Sequence, residues 1–356
     1  MRRIRQFEPS FGEEEKKAVI DVIESGWINE GPKAKELETL FSSFVGSKYA
    51  VATMNGTIAL ALALMAVGIG RGDEVIVPDF TFVATANAVK LVGAEPVLVD
   101  IKQDDFTMDP DHFLSSITEK TRAVIPVHLN GRPADMKRIR EIAEDKGIIV
   151  VEDAAQAIGS RTNGKYLGTF SKAGAFSLAT TKIITTGQGG IVVTDDPEIH
   201  ERLRRLKDHG RLDKSDHHPY IGYNFKLTDL QAAVGIAQFK KLNGRIQRSR
   251  ELLKLYREEL ENIKGITFPE TKPETVLWYV DILTDKPLRL KEYLESRGIE
   301  TRPFYKPLHE QPCYRRDGNF ENTCKVSSRG LWLPSSTFLS DEDIVYICNH
   351  IKGYFK

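Results

Sequence analysis

The run Ile148-Ile149-Val150-Val151-Glu152-Asp153 is apolar over its first four residues and then ends in two carboxylates. A short strand without polar alternation is usually buried on both faces, as in a parallel sheet that is covered by helices. Ligands of open α/β sheets bind at the carboxyl ends of the strands. Asp153 is therefore a candidate binding residue, although a capping or turn role would explain it as well.

Similar short runs lie on both sides of this strand and alternate with helical periods. The alternation predicts an α/β fold with a central, mostly parallel sheet flanked by helices. Predicted strands are 49–53, 74–77, 96–99, 123–127, 148–152, 174–178 and 190–194. Predicted helices between them are 57–67, 82–92, 109–117, 133–146 and 197–206.

The pattern changes near residue 227. A long helix is predicted over 228–262, with Thr228 as its N-cap and Gln231 completing a capping box. A strand over 276–283 and helices over 288–297 and 341–354 follow. We predict a large domain at 1–245, including an N-terminal arm, and a smaller C-terminal α+β domain at 246–356.

Composition argues against several classes of function. The 50 Lys and Arg residues balance the 50 Asp and Glu residues, so neither nucleic acid nor a membrane surface is an expected partner. The longest apolar stretch, 59–70, is about half as long as a membrane helix. The three cysteines are far apart and His217 and His218 fit an exposed polar loop, so we expect a cytoplasmic protein without a metal.

Two further segments could bind a ligand. Asn55-Gly56-Thr57 follows the first strand and would place free backbone N–H groups and a hydroxyl at a helix N-terminus, where phosphates bind. A simple N-cap with a turn glycine is the alternative. Lys182 lies in a loop of small residues, between Ser177 and the glycine-rich segment 185–190. An ordinary surface charge would explain that lysine about as well.

The three segments together are more specific than any one of them. A phosphate cradle, an acid at a strand end and a lysine in a glycine-flanked loop are the parts that a pyridoxal 5′-phosphate site requires. The lysine forms a Schiff base with the cofactor aldehyde, and the acid keeps the pyridine nitrogen protonated. The glycine run 68–72 follows a helix rather than a strand, so a nicotinamide-dependent oxidoreductase is poorly supported.

At this level of detail the sequence resembles the DegT, DnrJ, EryC1 and StrS sugar aminotransferases, a family of fold-type I pyridoxal phosphate enzymes. The matching motifs run nearly from end to end of the chain. They lie at 26–32, 55–57, 78–82, 152–156, 177–182, 185–190, 222–224, 228–233 and 302–309.

The resemblance implies a role for each matching residue. Lys182 would be the Schiff-base lysine and proton shuttle, and Asp153 would pair with the pyridinium nitrogen. Gln156 would hydrogen-bond the 3′-oxygen of the cofactor, and Phe82 would stack on its ring. The phosphate would be bound by the turn that starts at Asn55 and by three further residues, Gly56, Thr57 and Ser177.

The resemblance also implies a homodimer with shared active sites, because Asn224 matches a residue that reaches the phosphate of the neighbouring subunit. His309 and Trp27 are candidates for substrate contact, although a loop histidine and a core tryptophan are equally good readings. Many relatives have Tyr where this chain has Asn130 and Arg where it has Lys226. Lysine lacks the bidentate fork of arginine, which weakens a substrate contact through Lys226.

The expected reaction is amino transfer from L-glutamate to a nucleotide-linked keto-sugar. Resemblance at 223–224, 302–303 and 333–335 favours members of the family that act on nucleoside-diphosphate 4-keto-6-deoxyhexoses. One alternative is a pyridoxamine-dependent sugar dehydratase, in which histidine replaces the lysine. Another is a regulatory homologue that has lost catalysis, but Asp153, Gln156, Ser177 and Lys182 are all retained.

Overall fold

A computed structural model describes residues 3–211, 213 and 216–356. Its strands are β1 (Tyr49–Thr53), β2 (Glu74–Pro78), β3 (Glu95–Val99), β4 (Thr121–Val124), β5 (Ile149–Asp153), β6 (Arg161–Thr162), β7 (Lys165–Tyr166), β8 (Ala173–Ser177), β9 (Gly190–Thr194), β10 (Asp281–Leu283), β11 (Arg302–Pro303) and β12 (Gly330–Trp332). Its helices are α1 (Glu13–Ser25), α2 (Pro32–Val45), α3 (Gly56–Ala66), α4 (Ala84–Leu91), α5 (Pro110–Ser115), α6 (Met136–Lys146), α7 (Pro197–Lys207), α8 (Asp229–Lys240), α9 (Leu242–Leu260), α10 (Pro287–Glu295), α11 (Glu321–Ser327) and α12 (Asp341–Phe355).

Seven strands form the central sheet in the order β1-β9-β8-β5-β4-β2-β3. The pairs from β3 to β8 are parallel, whereas β9 is antiparallel to both β8 and β1. This topology confirms the predicted α/β fold with a mostly parallel central sheet. Since β5 and β8 run parallel as neighbours, their carboxyl ends at Asp153 and Ser177 lie on the same edge of the sheet.

Helices cover both faces of this sheet. Successive residues of a strand point to opposite faces, and Val75 and Val77 pack with α3, α4 and α7, whereas Ile76 packs with α5 and α6. Helix α3 is buried along nearly its whole length between the sheet and neighbouring helices. The central position of α3 fixes its N-terminus next to the ends of β5 and β8.

The C-terminal part has its own apolar core. A three-stranded sheet, β10-β12-β11, packs with α9, α10 and α12. Ile4 of the N-terminal arm belongs to this second core and forms a bridge to Ile299. Helix α9 contacts both cores, with Leu242 in the first and Leu252 in the second. The division of the chain after residue 245 stays a prediction.

Two elements differ from their prediction. The long helix over 228–262 is divided at Lys241, whose N–H donates to Gln238 O in a tighter turn, while its side chain binds Glu15. The strand over 276–283 is reduced to β10. The backbone before β10 hydrogen-bonds to side chains instead of to a neighbouring strand. For example, Val276 N donates to Ser160 Oγ at 2.8 Å.

Asn130 and Arg132 join the two parts of the molecule. The Asn130 backbone is left-handed, with φ 53°, and its amide side chain bonds both the N–H and the carbonyl oxygen of Tyr279. Arg132 forms a buried bidentate pair with Asp281 at 2.7 and 2.8 Å. These bonds hold segment 276–281 against the carboxyl edge of the central sheet.

No helix among residues 3–211, 213 and 216–356 is both long enough and apolar enough to cross a membrane.

Removing the carboxylate of Asp281 should destabilise the fold, because Arg132 would keep a buried charge without a partner. We expect Asp281→Asn to lower the free energy of unfolding by about 3–5 kcal/mol, measured by urea titration. The matched control is Asp285→Asn, since Asp285 is 81% exposed in its pair with Arg329 and should contribute less than about 0.5 kcal/mol. Equal effects of the two variants would contradict this role for Arg132–Asp281.

Candidate active site

One cavity of about 630 Å³ opens at the carboxyl ends of β5 and β8, beside the N-terminus of α3. Its size is typical of a small-molecule site. Eight of the residues predicted from the sequence line it, namely Asn55, Gly56, Thr57, Phe82, Asp153, Gln156, Ser177 and Lys182.

Asp153 is the last residue of β5 and is only 5% exposed. One carboxylate oxygen accepts from Thr85 Oγ1 at 2.8 Å and the other accepts from Ala155 N at 3.0 Å. Burial raises the pKa of Asp153, while these two donors and the charge of Lys182 oppose the rise. A cation facing Asp153 would therefore favour its ionised form.

The N-terminus of α3 forms an anion site. Asn55 caps the helix by accepting from Ile58 N at 2.9 Å, so the N–H groups of Gly56 and Thr57 donate to no acceptor in the described chain. A Cβ on Gly56 would lie 2.9 Å from Cβ of Ser177, and glycine therefore permits the helix to approach the end of β8. Free N–H groups and the helix dipole favour a phosphate here.

Lys182 lies on the loop between β8 and β9, which Leu178 N closes by donating to Gly189 O at 2.8 Å. The amine is over the ring of Trp278, 3.4 Å from its centroid. No acceptor within the described ranges hydrogen-bonds Lys182 Nζ. The pKa of Lys182 is lowered to about 7, chiefly by burial; the charge of Asp153 opposes this decrease and that of Arg302 adds to it. A large fraction of the amine is thus unprotonated and nucleophilic near neutral pH.

Gln156 is held in one orientation. Its side-chain oxygen accepts from Asn130 N at 2.7 Å, which leaves the amide NH₂ group as a donor toward the cavity. Asn130, in its left-handed conformation, thus hydrogen-bonds the backbone of Tyr279 through its side chain and orients Gln156 through its backbone N–H.

The cavity is also lined by residues that had no role assigned from the sequence, among them Thr85, Trp278, Arg302 and Tyr305. Arg302 has no ion pair among the residues that the structure describes, and its guanidinium stacks near Tyr305. The buried hydroxyl of Tyr305 has no hydrogen-bond partner in the part of the chain that the structure describes. The motif at 302–303 was a signal for Arg302, whereas nothing local distinguishes Trp278 from a core aromatic residue.

Four predicted residues lie outside this cavity. Trp27 is 54% exposed and donates to Glu30 O, and Asn224 is exposed on a loop. Lys226 forms an ion pair with Asp208. His309 Nδ1 forms a hydrogen bond with Asp79 Oδ2 at 2.6 Å, and the imidazole stacks on Phe320. Their roles in binding substrate or a partner's cofactor stay predictions.

Comparison with known proteins agrees with this geometry. The model of the DegT/DnrJ/EryC1/StrS aminotransferase family matches residues 9–352. The chain belongs to this family. It is 37% identical to a GDP-perosamine synthase of Escherichia coli O157:H7, covering 100% of this chain and 99% of that protein.

Two solved structures of relatives superpose closely. The chain is 36% identical to DesV of S. venezuelae, solved in complex with a ketimine intermediate, with a TM-score of 0.93 over 97% of this chain and 95% of that one. The second structure is Spr1654 of Streptococcus pneumoniae, solved in its PMP form. It is 29% identical to this chain with a TM-score of 0.93, and the match covers 99% of this chain and 97% of that one. The protein is therefore an aminotransferase that uses pyridoxal 5′-phosphate.

The residues of the cavity fit this cofactor. The free N–H groups at Gly56 and Thr57 suit its phosphate, and Asp153 suits a cationic ring nitrogen. The unpaired amine of Lys182 suits its aldehyde, since a protonated and ion-paired lysine could not attack.

Removing the charge of Arg302 should raise the pKa of Lys182. We expect Arg302→Gln to move the pH midpoint for cofactor attachment upward from about 7 by roughly half a unit to one unit. The measurement is the rate at which cofactor-free protein gains visible absorbance after addition of pyridoxal phosphate, across pH 6 to 9. Arg302→Lys keeps the charge and should retain the wild-type midpoint. An unchanged midpoint in Arg302→Gln would refute this electrostatic link.

Proposed function

We propose that this enzyme transfers an amino group from L-glutamate to a nucleotide-linked keto-sugar in amino-sugar and polysaccharide biosynthesis. The observation that carries the proposal is the unpaired Lys182 amine in the same cavity as Asp153 and the N-terminus of α3. The relative from E. coli is a GDP-perosamine synthase, which supports a sugar as the acceptor.

The cavity residues predicted from the sequence would bind different parts of the cofactor. Gly56, Thr57 and Ser177 would bind the phosphate. Asn55 caps helix α3, whose N-terminus would face this phosphate. Asp153 would pair with the ring nitrogen, because Thr85 and Ala155 already hold its carboxylate in place.

Two further residues would contact the cofactor, one at the edge of its ring and one on the face of the ring. Gln156 would donate its NH₂ group to the 3′-oxygen, and Phe82, which is 47% exposed in the cavity, would stack on the ring. When bound, the cofactor supplies an electron sink that stabilises the carbanion left by proton removal.

Lys182 would perform the proton transfers in both halves of the reaction. When its amine is not bonded to the cofactor, a pKa of about 7 would let it both accept and return a proton at neutral pH. Contact with the ring of Trp278 would restrict the positions that the amine can take in the cavity. Because donor and acceptor use the same site in turn, ping-pong kinetics are expected.

Arg302 provides a basis for recognising the amino donor. Its guanidinium is exposed to the cavity without an ion pair among the described residues, and it presents the planar fork that binds carboxylates in bidentate fashion. L-Glutamate carries a second carboxylate on its side chain, so this charge would favour it over an amino acid with an uncharged side chain.

For the acceptor we propose a nucleoside-diphosphate 4-keto-6-deoxyhexose. The sequence resemblance at 302–303 and 333–335 and the GDP-perosamine synthase relative support this choice. His309, Lys226 and Trp27 stay candidate substrate contacts from outside the cavity.

We also propose a homodimer with shared active sites in the cytoplasm. Asn224 is exposed and outside the cavity of its own chain, as a residue that serves a neighbouring subunit would be. Ile221 nearby is 82% exposed, and Tyr220 and Tyr223 next to it are also exposed, so these residues form a group that suits a partner surface. Exposed free thiols at Cys313 and Cys324 favour a reducing compartment.

The alternative within this fold is a dehydratase that uses pyridoxamine phosphate. Lys182 argues against it, because that chemistry is implied for relatives in which histidine replaces the lysine. A regulatory homologue without catalysis is disfavoured by the complete set of Asp153, Gln156, Ser177 and Lys182.

The substrate proposal is tested with the holoenzyme, L-glutamate and a panel of GDP-, dTDP- and UDP-linked keto-sugars, read by mass spectrometry. We expect 2-oxoglutarate and one aminated sugar nucleotide in equal amounts. Lys182→Ala should abolish both products, whereas Lys172→Ala, which changes an exposed lysine, should leave them unchanged. Loss of water from the sugar without amination would instead support the dehydratase.

Complementation between two inactive variants tests the shared site. Lys182→Ala removes the lysine of its own site, and Asn224→Asp places a negative charge toward the partner's phosphate. In a mixture that exchanges subunits, half of the dimers should be mixed and carry one intact site, which restores about a quarter of wild-type activity. Activity that stays at the level of the separate variants would contradict sharing through Asn224.

A further inference from the structure

A second group of reactive side chains lies outside the cofactor cavity. The ligand-type atoms of His309, Glu310 and Cys324 all lie within 4.8 Å of one another. His309 and Glu310 belong to a short turn, and Cys324 lies on the neighbouring helix α11. Local sequence patterns did not predict this group, because thirteen residues lie between Glu310 and Cys324.

His309 is oriented as metal-binding histidines are. Its Nδ1 lies 2.6 Å from Asp79 Oδ2, and its backbone N–H donates to Asp79 Oδ1 at 2.7 Å. Asp79 is fully buried, and the imidazole stacks on Phe320 at 4.5 Å. A proton on Nδ1 directed at a carboxylate leaves Nε2 with its lone pair facing outward, which is the arrangement of carboxylate–histidine–zinc sites.

The distance between the two strongest ligands also fits. His309 Nε2 is 3.8 Å from Cys324 Sγ. Tetrahedral zinc with bonds of about 2.0 Å to nitrogen and 2.3 Å to sulfur needs a separation of about 3.5 Å. A rotamer adjustment of a few tenths of an ångström at the exposed Cys324 would close the difference.

We propose that His309, Glu310 and Cys324 form a binding site for a thiophilic divalent metal, Zn²⁺ or a similar ion, with a fourth position open to water. One nitrogen, one thiolate and one carboxylate are a donor set that zinc accepts. The proposal departs from the expectation of a metal-free protein, and it gives His309 the role of a metal ligand in place of a substrate contact.

The electrostatic surroundings favour a cation. Burial raises the pKa of the Cys324 thiol, and the carboxylates of Glu310, Asp79 and Asp100 raise it further. The negative charge of these carboxylates also favours a divalent cation such as Zn²⁺ at this position. Glu310 otherwise contacts Lys306 at 3.8 Å, an exposed pair that costs little to break.

The site would connect helix α11 to the active-site wall. Asp79 O accepts from Leu308 N at 3.0 Å, and Phe82 follows Asp79 by three residues. A metal on His309 and Cys324 would therefore fasten α11 to the segment that carries Phe82.

Cobalt is the probe, because tetrahedral Co²⁺ with a thiolate ligand absorbs at longer wavelength than the cofactor. Holoenzyme treated with a chelator and then desalted is titrated with Co²⁺, and Zn²⁺ is added afterwards as a competitor. We expect one Co²⁺ per chain with tetrahedral bands that Zn²⁺ abolishes. Cys324→Ser should lose these bands and bind at least about tenfold more weakly.

The matched control is Cys313→Ser, because Cys313 is also an exposed free thiol but lies outside the group. It should bind Co²⁺ like the wild type, and Glu310→Gln should bind about tenfold more weakly while keeping the thiolate signal. Thermal melting of each variant verifies that it is folded. Absence of tetrahedral bands in the wild type, their persistence in Cys324→Ser, or their equal loss in Cys313→Ser would overturn the proposal.

Discussion

The active site depends on placing two ionisable groups, Asp153 and Lys182, in one cavity without letting them neutralise each other. Asp153 is held by Thr85 and Ala155, so its carboxylate is satisfied by neutral donors. Lys182 has no acceptor within the described chain and lies on Trp278. Each group therefore retains its capacity for a ligand, and burial shifts the pKa of both toward the neutral form.

The fold supplies this arrangement through its parallel sheet. Neighbouring parallel strands β5 and β8 bring Asp153 and Ser177 to one edge, and α3, buried between sheet and helices, presents its N-terminus there. The second part of the chain contributes Trp278, Arg302 and Tyr305, and the bonds of Asn130 and Arg132 hold it in place. The cavity is thus built where the two cores meet.

Local sequence patterns predicted the half of the site that belongs to the sheet. Asp153 ends an apolar strand and Gly56 starts a helix, and both signals are contained within a few residues. Trp278 could not be predicted in the same way, because segment 276–280 finds its partners in the side chains of Ser160 and Asn130 rather than in a strand. The break at Lys241 likewise coincides with a contact to a distant residue, Glu15. His309 and Cys324 meet only through tertiary packing.

The central claim is that the amine of Lys182 is the attachment point of pyridoxal phosphate. The most direct measurement is borohydride reduction of the holoenzyme, followed by proteolysis and mass spectrometry to locate the phosphopyridoxyl group. The account predicts one modified residue, Lys182, and no modification when L-glutamate is added before the reductant. Attachment at another lysine, or none in protein that contains the cofactor, would contradict it.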